Sequence, residues 1–439
     1  MTNVGDWGII TGMERDEQTH ARFIRPRRMR ARRYTPQGFR AQNVKFALRR
    51  LPFNLAAIFC ALCVPLLVML DVRESEAVAE WWTTHVQAGW EKVIGTLTDW
   101  LPFSVLELFI VSGLIVGAFL LVRLFINLCT AKFKRILIGV LSLCVGGAYV
   151  LNLYALSMGF GYYRAPMPVP QAGKDYSQTQ ARAAVEYFLA DYNRLADTFD
   201  RDENGCVICP YTISELADIL VKEYSRLDDP YFTAYTPRIK PVVNSWFLSD
   251  TLTTGVTFLP FGEATVNTDA PPSTVTITAA HELAHAKGVQ REGDADLLAR
   301  YILLSSDDGY LRYCGYYASF DNLLETMLLF GDNAAYNELG VGISKRVSIE
   351  RRYAIKYWNS QPDIVGRIFQ FFNNAYLQFN GASNGTGSYD DGNKSDVVIP
   401  INPDTGEPEK DPDTGEILRE VYYSQVQKMY FWIYENRSL

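Results

Sequence analysis

Three nearly uncharged apolar runs, residues 53–70, 105–126 and 136–157, dominate the first third of the chain. Each comes close to the roughly 20 residues that an α-helix needs to cross a bilayer, so three membrane spans are predicted. Pro65 would break a soluble helix, but in lipid it is tolerated where neighbours satisfy the freed carbonyl. Glu107 and Arg123 lie near the ends of the second run, where long side chains reach the headgroups. Between the first two runs, residues 71–104 are acidic (Asp71, Glu74, Glu76, Glu80) and carry Trp81, Trp82, Trp90 and Trp100. This pattern predicts an amphipathic outer loop with tryptophans as interfacial anchors.

Past the third run the periodicity changes. Residues 158–175 contain Arg164-Ala-Pro-Met-Pro-Val-Pro170, which reads as an extended linker. A domain over 176–439 follows. Helical periodicity covers 177–199 and 212–227, the second opening with Thr212 and Glu215 at capping-box spacing. Between 242 and 269, short alternating runs of Thr, Val and Phe, notably Gly255 to Gly262, read as one or two strands. Helices resume after Tyr301, at 319–330, 344–358 and 363–379. A Gly-, Asn-, Asp- and Pro-rich surface insertion at 381–419 holds Pro-Asp-Thr-Gly-Glu twice, which is turn chemistry before it is a calcium loop. The fold class is therefore a membrane α-helical anchor of three spans plus an α+β, mainly helical domain with a small sheet.

With 439 residues, 48% of them hydrophobic, the chain is long enough for two regions and a real core. Charge adds a direction. The net charge is −7, yet residues 15–50 hold twelve Lys or Arg. Residues 1–52 read as a basic cytoplasmic tail, and Lys132, Lys134 and Arg135 mark a second cytoplasmic loop. With the N-terminus inside, three crossings leave everything after about residue 158 outside the cytoplasm. The expected partners are the lipid bilayer and a peptide or protein substrate, with no nucleic acid. No secretory signal peptide precedes Phe53. Cys206 and Cys209 read as a local disulfide or as free thiols.

The candidate chemistry sits at His281-Glu282-Leu283-Ala284-His285. Residues four apart share a helix face, so both imidazoles can reach one ion while Glu282 stands beside them. Catalytic zinc takes three protein ligands and a water, whose proton the glutamate accepts. The two remaining histidines, His20 and His85, are assigned to the tail and the outer loop, so the third ligand must be a carboxylate. Gly288 ends the helix and lets a second one fold back. Glu292 is the first candidate on that second helix, with Asp294 and Asp296 close behind, and Asp296 lies on the face of Glu292, placed to orient a ligand histidine. Glu263 and Asn267 are candidate cleft residues, and Tyr313, Tyr316, Tyr317 or Tyr353 could donate to an oxyanion.

The pattern His281-Glu-x-x-His285-x-x-Gly288-x-x-x-Glu292-x-x-Ala295-Asp296 resembles the gluzincin metallopeptidases, and its Glu-x-x-Ala-Asp part is similar to the CAAX prenyl protease and HtpX group. From about residue 50 onward the chain resembles a bacterial membrane family with a domain of unknown function, through the three spans, Gly161-Tyr-Tyr-Arg-Ala-Pro166, and Leu259-Pro-Phe-Gly-Glu-Ala-Thr-Val-Asn267. The resemblance implies a zincin-like domain, a Zn2+ cofactor, peptide-bond hydrolysis and a place in the bacterial cytoplasmic membrane. The competing expectation is a catalytically inactive binding or sensor domain. Glu282 separates the two, since a structural metal needs no general base.

Overall fold

The computed structural model describes residues 36–170, 176–412, 415 and 417–436. The arginine cluster 22–33, residues 171–175 of the expected linker and part of the second Pro-Asp-Thr-Gly-Glu lie outside these residues. The chain divides into two units, 1–51 and 52–439. The first is helical from Pro36.

Described helices are α1 (Pro36–Val72), α2 (Glu76–Trp81), a π-helical turn Trp82–Gln87, α3 (Ala88–Thr98), α4 (Val105–Cys129), α5 (Phe133–Ser157), α6 (Gln178–Thr198) and α7 (Ile213–Tyr224). Next come β1 (Ile239–Pro241), α8 (Ser245–Asp250), β2 (Gly255–Phe258), β3 (Glu263–Val266), α9 (Pro272–Ala286), α10 (Glu292–Ser305), α11 (Gly309–Leu324), α12 (Thr326–Leu329), α13 (Asn333–Val341), α14 (Lys345–Asn359) and α15 (Asp363–Phe379). A 3₁₀ stretch Gly385–Asn393, the hairpin β4 (Asp396–Val398) and β5 (Glu420–Tyr422), and α16 (Gln425–Asn436) complete the chain. The structure is mainly helical, and Arg50–Val72, α4 and α5 are long and apolar enough to cross a membrane. Pro65 sits inside α1 without ending it.

Local sequence explains the elements around the site. Ser177 with Gln180 and Thr212 with Glu215 close capping boxes on α6 and α7, satisfying donors that a helix start leaves open. Pro272 opens α9, where its missing N–H costs nothing. Ala279, Ala280, Leu283 and Ala284 of α9 are fully buried, and the three alanines let α10 and α11 pack closely against it. The sheet runs β1-β3-β2, with β1 parallel and β2 antiparallel to β3, so β2 is an edge strand. Gly255 on that edge permits close approach, because a Cβ there would stand 2.6 Å from Thr278 Cγ2 and 2.8 Å from Glu282 Cγ, both on α9.

Three expectations need correction. The segment after α5 is no free linker: Gly161–Tyr163 is a 3₁₀ turn with Gly161 and Tyr162 buried, and the Arg164 guanidinium is buried against Glu80, the Tyr231 carbonyl and the Gly288 carbonyl. A buried guanidinium must spend its fork of donors on fixed partners, which welds the exit of the span to the domain. In the outer segment, Trp82 donates to the Leu156 carbonyl and stacks on Phe160, while Trp90 donates to the Pro260 carbonyl. Those two are docked into the protein; Trp81 and Trp100 are exposed. Finally, 381–419 is only partly a surface insertion. Its hairpin is exposed, but Gly385–Asn393 packs on α10 and α15 and adds Tyr389 to the cavity described below.

Candidate metal centre

His281 and His285 stand one turn apart on α9 with ring centroids 4.6 Å apart. Gly288, at φ +86°, reverses the chain so that α10 returns Glu292 to them. Its carboxylate Oε2 lies 3.2 Å from His281 Nε2 and 3.4 Å from His285 Nε2. The far nitrogen of each ring is occupied: His281 Nδ1 donates to Asp296 Oδ1 at 2.7 Å, and His285 Nδ1 to the Val289 carbonyl at 2.7 Å. Both acceptors lack protons, so neutral rings aim their Nε2 lone pairs at the Glu292 oxygen.

Three electron-pair donors within 4.8 Å of one another are stable only around a positive charge. A proton on one of the rings is one way to supply it. Burial works against it, but Asp296 holds the His281 pKa well above the ordinary value and Glu292 raises that of His285. Burial likewise opposes ionisation of Glu292, yet His285 and the hydrogen bonds from both rings hold its carboxyl well below the usual range. A divalent cation meets the same need with the donor set, two imidazoles and one carboxylate, that zinc takes.

These groups form one wall of a cavity of about 680 Å³. Glu282, on the same wall, accepts from the Thr257 hydroxyl of β2 at 2.7 Å, and burial raises its pKa. Edge strand β2 supplies a second wall through Gly255 to Phe258. Opposite stand Phe369, Gln370, Phe372, Asn373 and Tyr376 of α15, with Tyr389, whose ring lies nearly parallel to that of His281 at 6.1 Å. Tyr162, from the exit of the third span, donates to the Tyr376 hydroxyl at 2.9 Å. Burial pushes the Tyr376 phenol up to about 12 and raises Tyr162 and Tyr389 as well, so all three keep their protons near neutrality.

Not every residue expected at the site is there. Asp294 pairs with Arg291 and leaves the metal position to Glu292. Tyr313 donates to Glu350 and Tyr316 to Asp191, both in the core behind α11, and neither they nor Tyr317 and Tyr353 line the cavity. Glu263 is buried in an ion pair with Lys240 and accepts from the Ser104 hydroxyl and from the backbone of Val105 and Leu106, capping the start of α4. Asn267 donates to Ser249 and to the Thr253 carbonyl, tying the loop before β2. The tyrosines that do line the cavity escaped sequence reasoning. The available signal was the spacing Gln370, Asn373, Tyr376, which sets three polar side chains on one face of a helix rich in Ile and Phe.

The family described as Protein of unknown function (DUF3810) matches residues 82–392, and the chain belongs to it. The match takes in α4, α5, both metal-site helices and Tyr389, and stops short of β4. No curated protein and no solved structure matches the chain.

Proposed function

We propose that this member of the family is a membrane-anchored zinc metallopeptidase whose zincin-like domain lies outside the cytoplasm of a bacterial cell, with the N-terminus inside. The observation that carries the reading is the convergence of His281, His285 and Glu292 on one wall of a cavity, with buried Glu282 beside them. His281, His285 and Glu292 would hold the ion. Bound zinc supplies a water acidified toward neutrality and polarises a carbonyl. Glu282 has the position and the raised pKa of a group that takes a proton and returns it to a leaving amine. Thr257 fixes its carboxylate. Tyr376, whose oxygen accepts from Tyr162, and separately Tyr389 present neutral O–H groups to the cavity as donors for an oxyanion. The edge of β2 offers backbone N–H and C=O groups to an extended peptide. Basic residues beside the spans support the orientation.

The test is metal analysis of the full chain purified in detergent, joined to turnover of a quenched-fluorescent peptide library. Wild type is expected to carry one zinc and cleave, whereas Glu282→Gln keeps the zinc and loses about 100-fold or more of the rate. A fold unchanged by chelation, with no metal after gentle purification, would sink the proposal. Zinc without any effect of Glu282→Gln on binding or turnover would favour the inactive binding domain instead.

A further inference from the structure

Helix α15 carries an apolar face that the protein leaves uncovered. Ile364, Ile368, Phe371 and Phe379 recur at helical spacing, and Ile364 and Phe371 are each 69% exposed, as bare as Leu114 in the middle of α4 at 66%. Beside it, Val243, Trp246 and Phe247 on and before α8 are also exposed, with Phe247 against Phe369. Single exposed apolar residues are ordinary on a protein surface, but a contiguous patch of this size calls for an occupant.

The position of the patch identifies that occupant. Where α15 ends, the Phe379 carbonyl accepts from Arg73 at 2.8 Å, and the guanidinium lies 4.7 Å from the centre of the Phe379 ring. Arg73 directly follows α1. Asn380 accepts from the Tyr154 hydroxyl, in the last turn of α5, at 2.5 Å. On the other side, Glu107, in the first turn of α4, accepts from the backbone N–H groups of Val243 and Asn244 at 2.9 Å each. The end of α1, the start of α4 and the end of α5 are the ends that three successive crossings bring to one face of a membrane. All three spans are therefore tied, at that one level, to the two elements that carry the exposed apolar residues.

We propose that α15, with the Val243–Phe247 segment, is an in-plane membrane helix whose apolar face inserts among the lipids of the leaflet where the spans end. An amphipathic helix buries such a face about 5–10 Å deep at the boundary between headgroups and acyl chains. Tryptophan suits the same level, with an apolar body and a polar N–H. The polar face of the helix, Gln370, Asn373 and Tyr376, meanwhile lines the cavity, and Tyr154 and Met158 at the end of α5 line it from another side. One helix thus faces lipid on one side and the metal site on the other. The cavity opens at the bilayer surface, and a ligand enters it along the membrane plane. This placement rests on the spans alone and holds whether or not the site is hydrolytic.

The experiment uses the full chain in phosphatidylcholine vesicles, with Cys60, Cys63, Cys129, Cys144 and the part-exposed Cys209 replaced by alanine and only the buried Cys206 and Cys314 kept. A fluorophore is attached to Ile364→Cys, Ile368→Cys or Phe371→Cys, with Leu114→Cys as the lipid control and Glu186→Cys as the water control. Loss of intensity on the α15 labels is expected with acyl chains brominated near the headgroup and not with aqueous iodide. Quenching by iodide instead, at the level of the Glu186→Cys label, overturns the proposal. Protection from both quenchers with cross-links between copies overturns it in favour of a second chain on this face. A further arm leaves the sequence intact: photoactivated phosphatidylcholine should place adducts within 363–379, and adducts confined to the spans would count against insertion.

Discussion

The two facing walls of the cavity are encoded in opposite ways. The α9–α10 wall comes from sixteen consecutive residues, 281–296, in which helical spacing and one glycine turn bring every donor together. The wall made by α15 and Tyr389 has no motif; its residues reach the site because α15 is pinned to Arg73 and Tyr154, hundreds of positions earlier in the chain. Under the proposed function, the first wall carries the chemistry and the second faces it across the cavity.

Substitutions should divide along this line. The largest effect is expected from Glu292→Ala: with only two imidazoles left, zinc measured by mass spectrometry of the metal should fall from one per chain to near none. Retention of full zinc would move the third ligand elsewhere. Across the cavity, Tyr376→Phe should leave zinc in place and lower kcat by about 10²- to 10³-fold, the cost of one oxyanion donor. A change in KM alone would make that phenol a binding group. Asp296→Asn removes the acceptor that orients His281, and zinc affinity should drop by about 10- to 100-fold in a competition titration.

The smallest effect is on pH dependence. Both ligand histidines have folded pKa values above the ordinary 6.5, so in chelated protein their protonated rings stabilise the fold fully below 6.5, and this is lost as pH rises through the raised values. Glu292, held below its ordinary 4.5, contributes above 4.5 and loses its contribution as pH falls through the lowered value. Chelated protein should therefore show its highest Tm between these limits, while added zinc should stabilise more strongly as pH rises and the rings give up their protons. A zinc increment independent of pH would mean that the histidines do not bind it.

How much was readable follows from the range of each contact. The three spans follow from composition, and the i, i+4 pair His281 and His285 with Glu292 follows from local geometry and the scarcity of histidine. Glu263 was misjudged because its partners, Lys240 and the start of α4, lie 23 and 157–159 positions away. Tyr313 and Tyr316 drew attention as phenols near the motif, but α11 turns them into the core toward Glu350 and Asp191. Tyr389 was hidden in a stretch whose glycines, asparagines and aspartates signal only turns. The proline-rich exit read as a spacer because nothing in its own sequence announces the carbonyls that Arg164 meets.

Arg164 also couples the exit of α5 to the geometry of the candidate site. The carbonyl left at the end of the histidine helix, on Gly288, accepts from a guanidinium 124 residues earlier, which emerges directly behind the third span. The turn between α9 and α10, which returns Glu292 to the histidines, is thus held from the exit of α5 as well as by its own glycine.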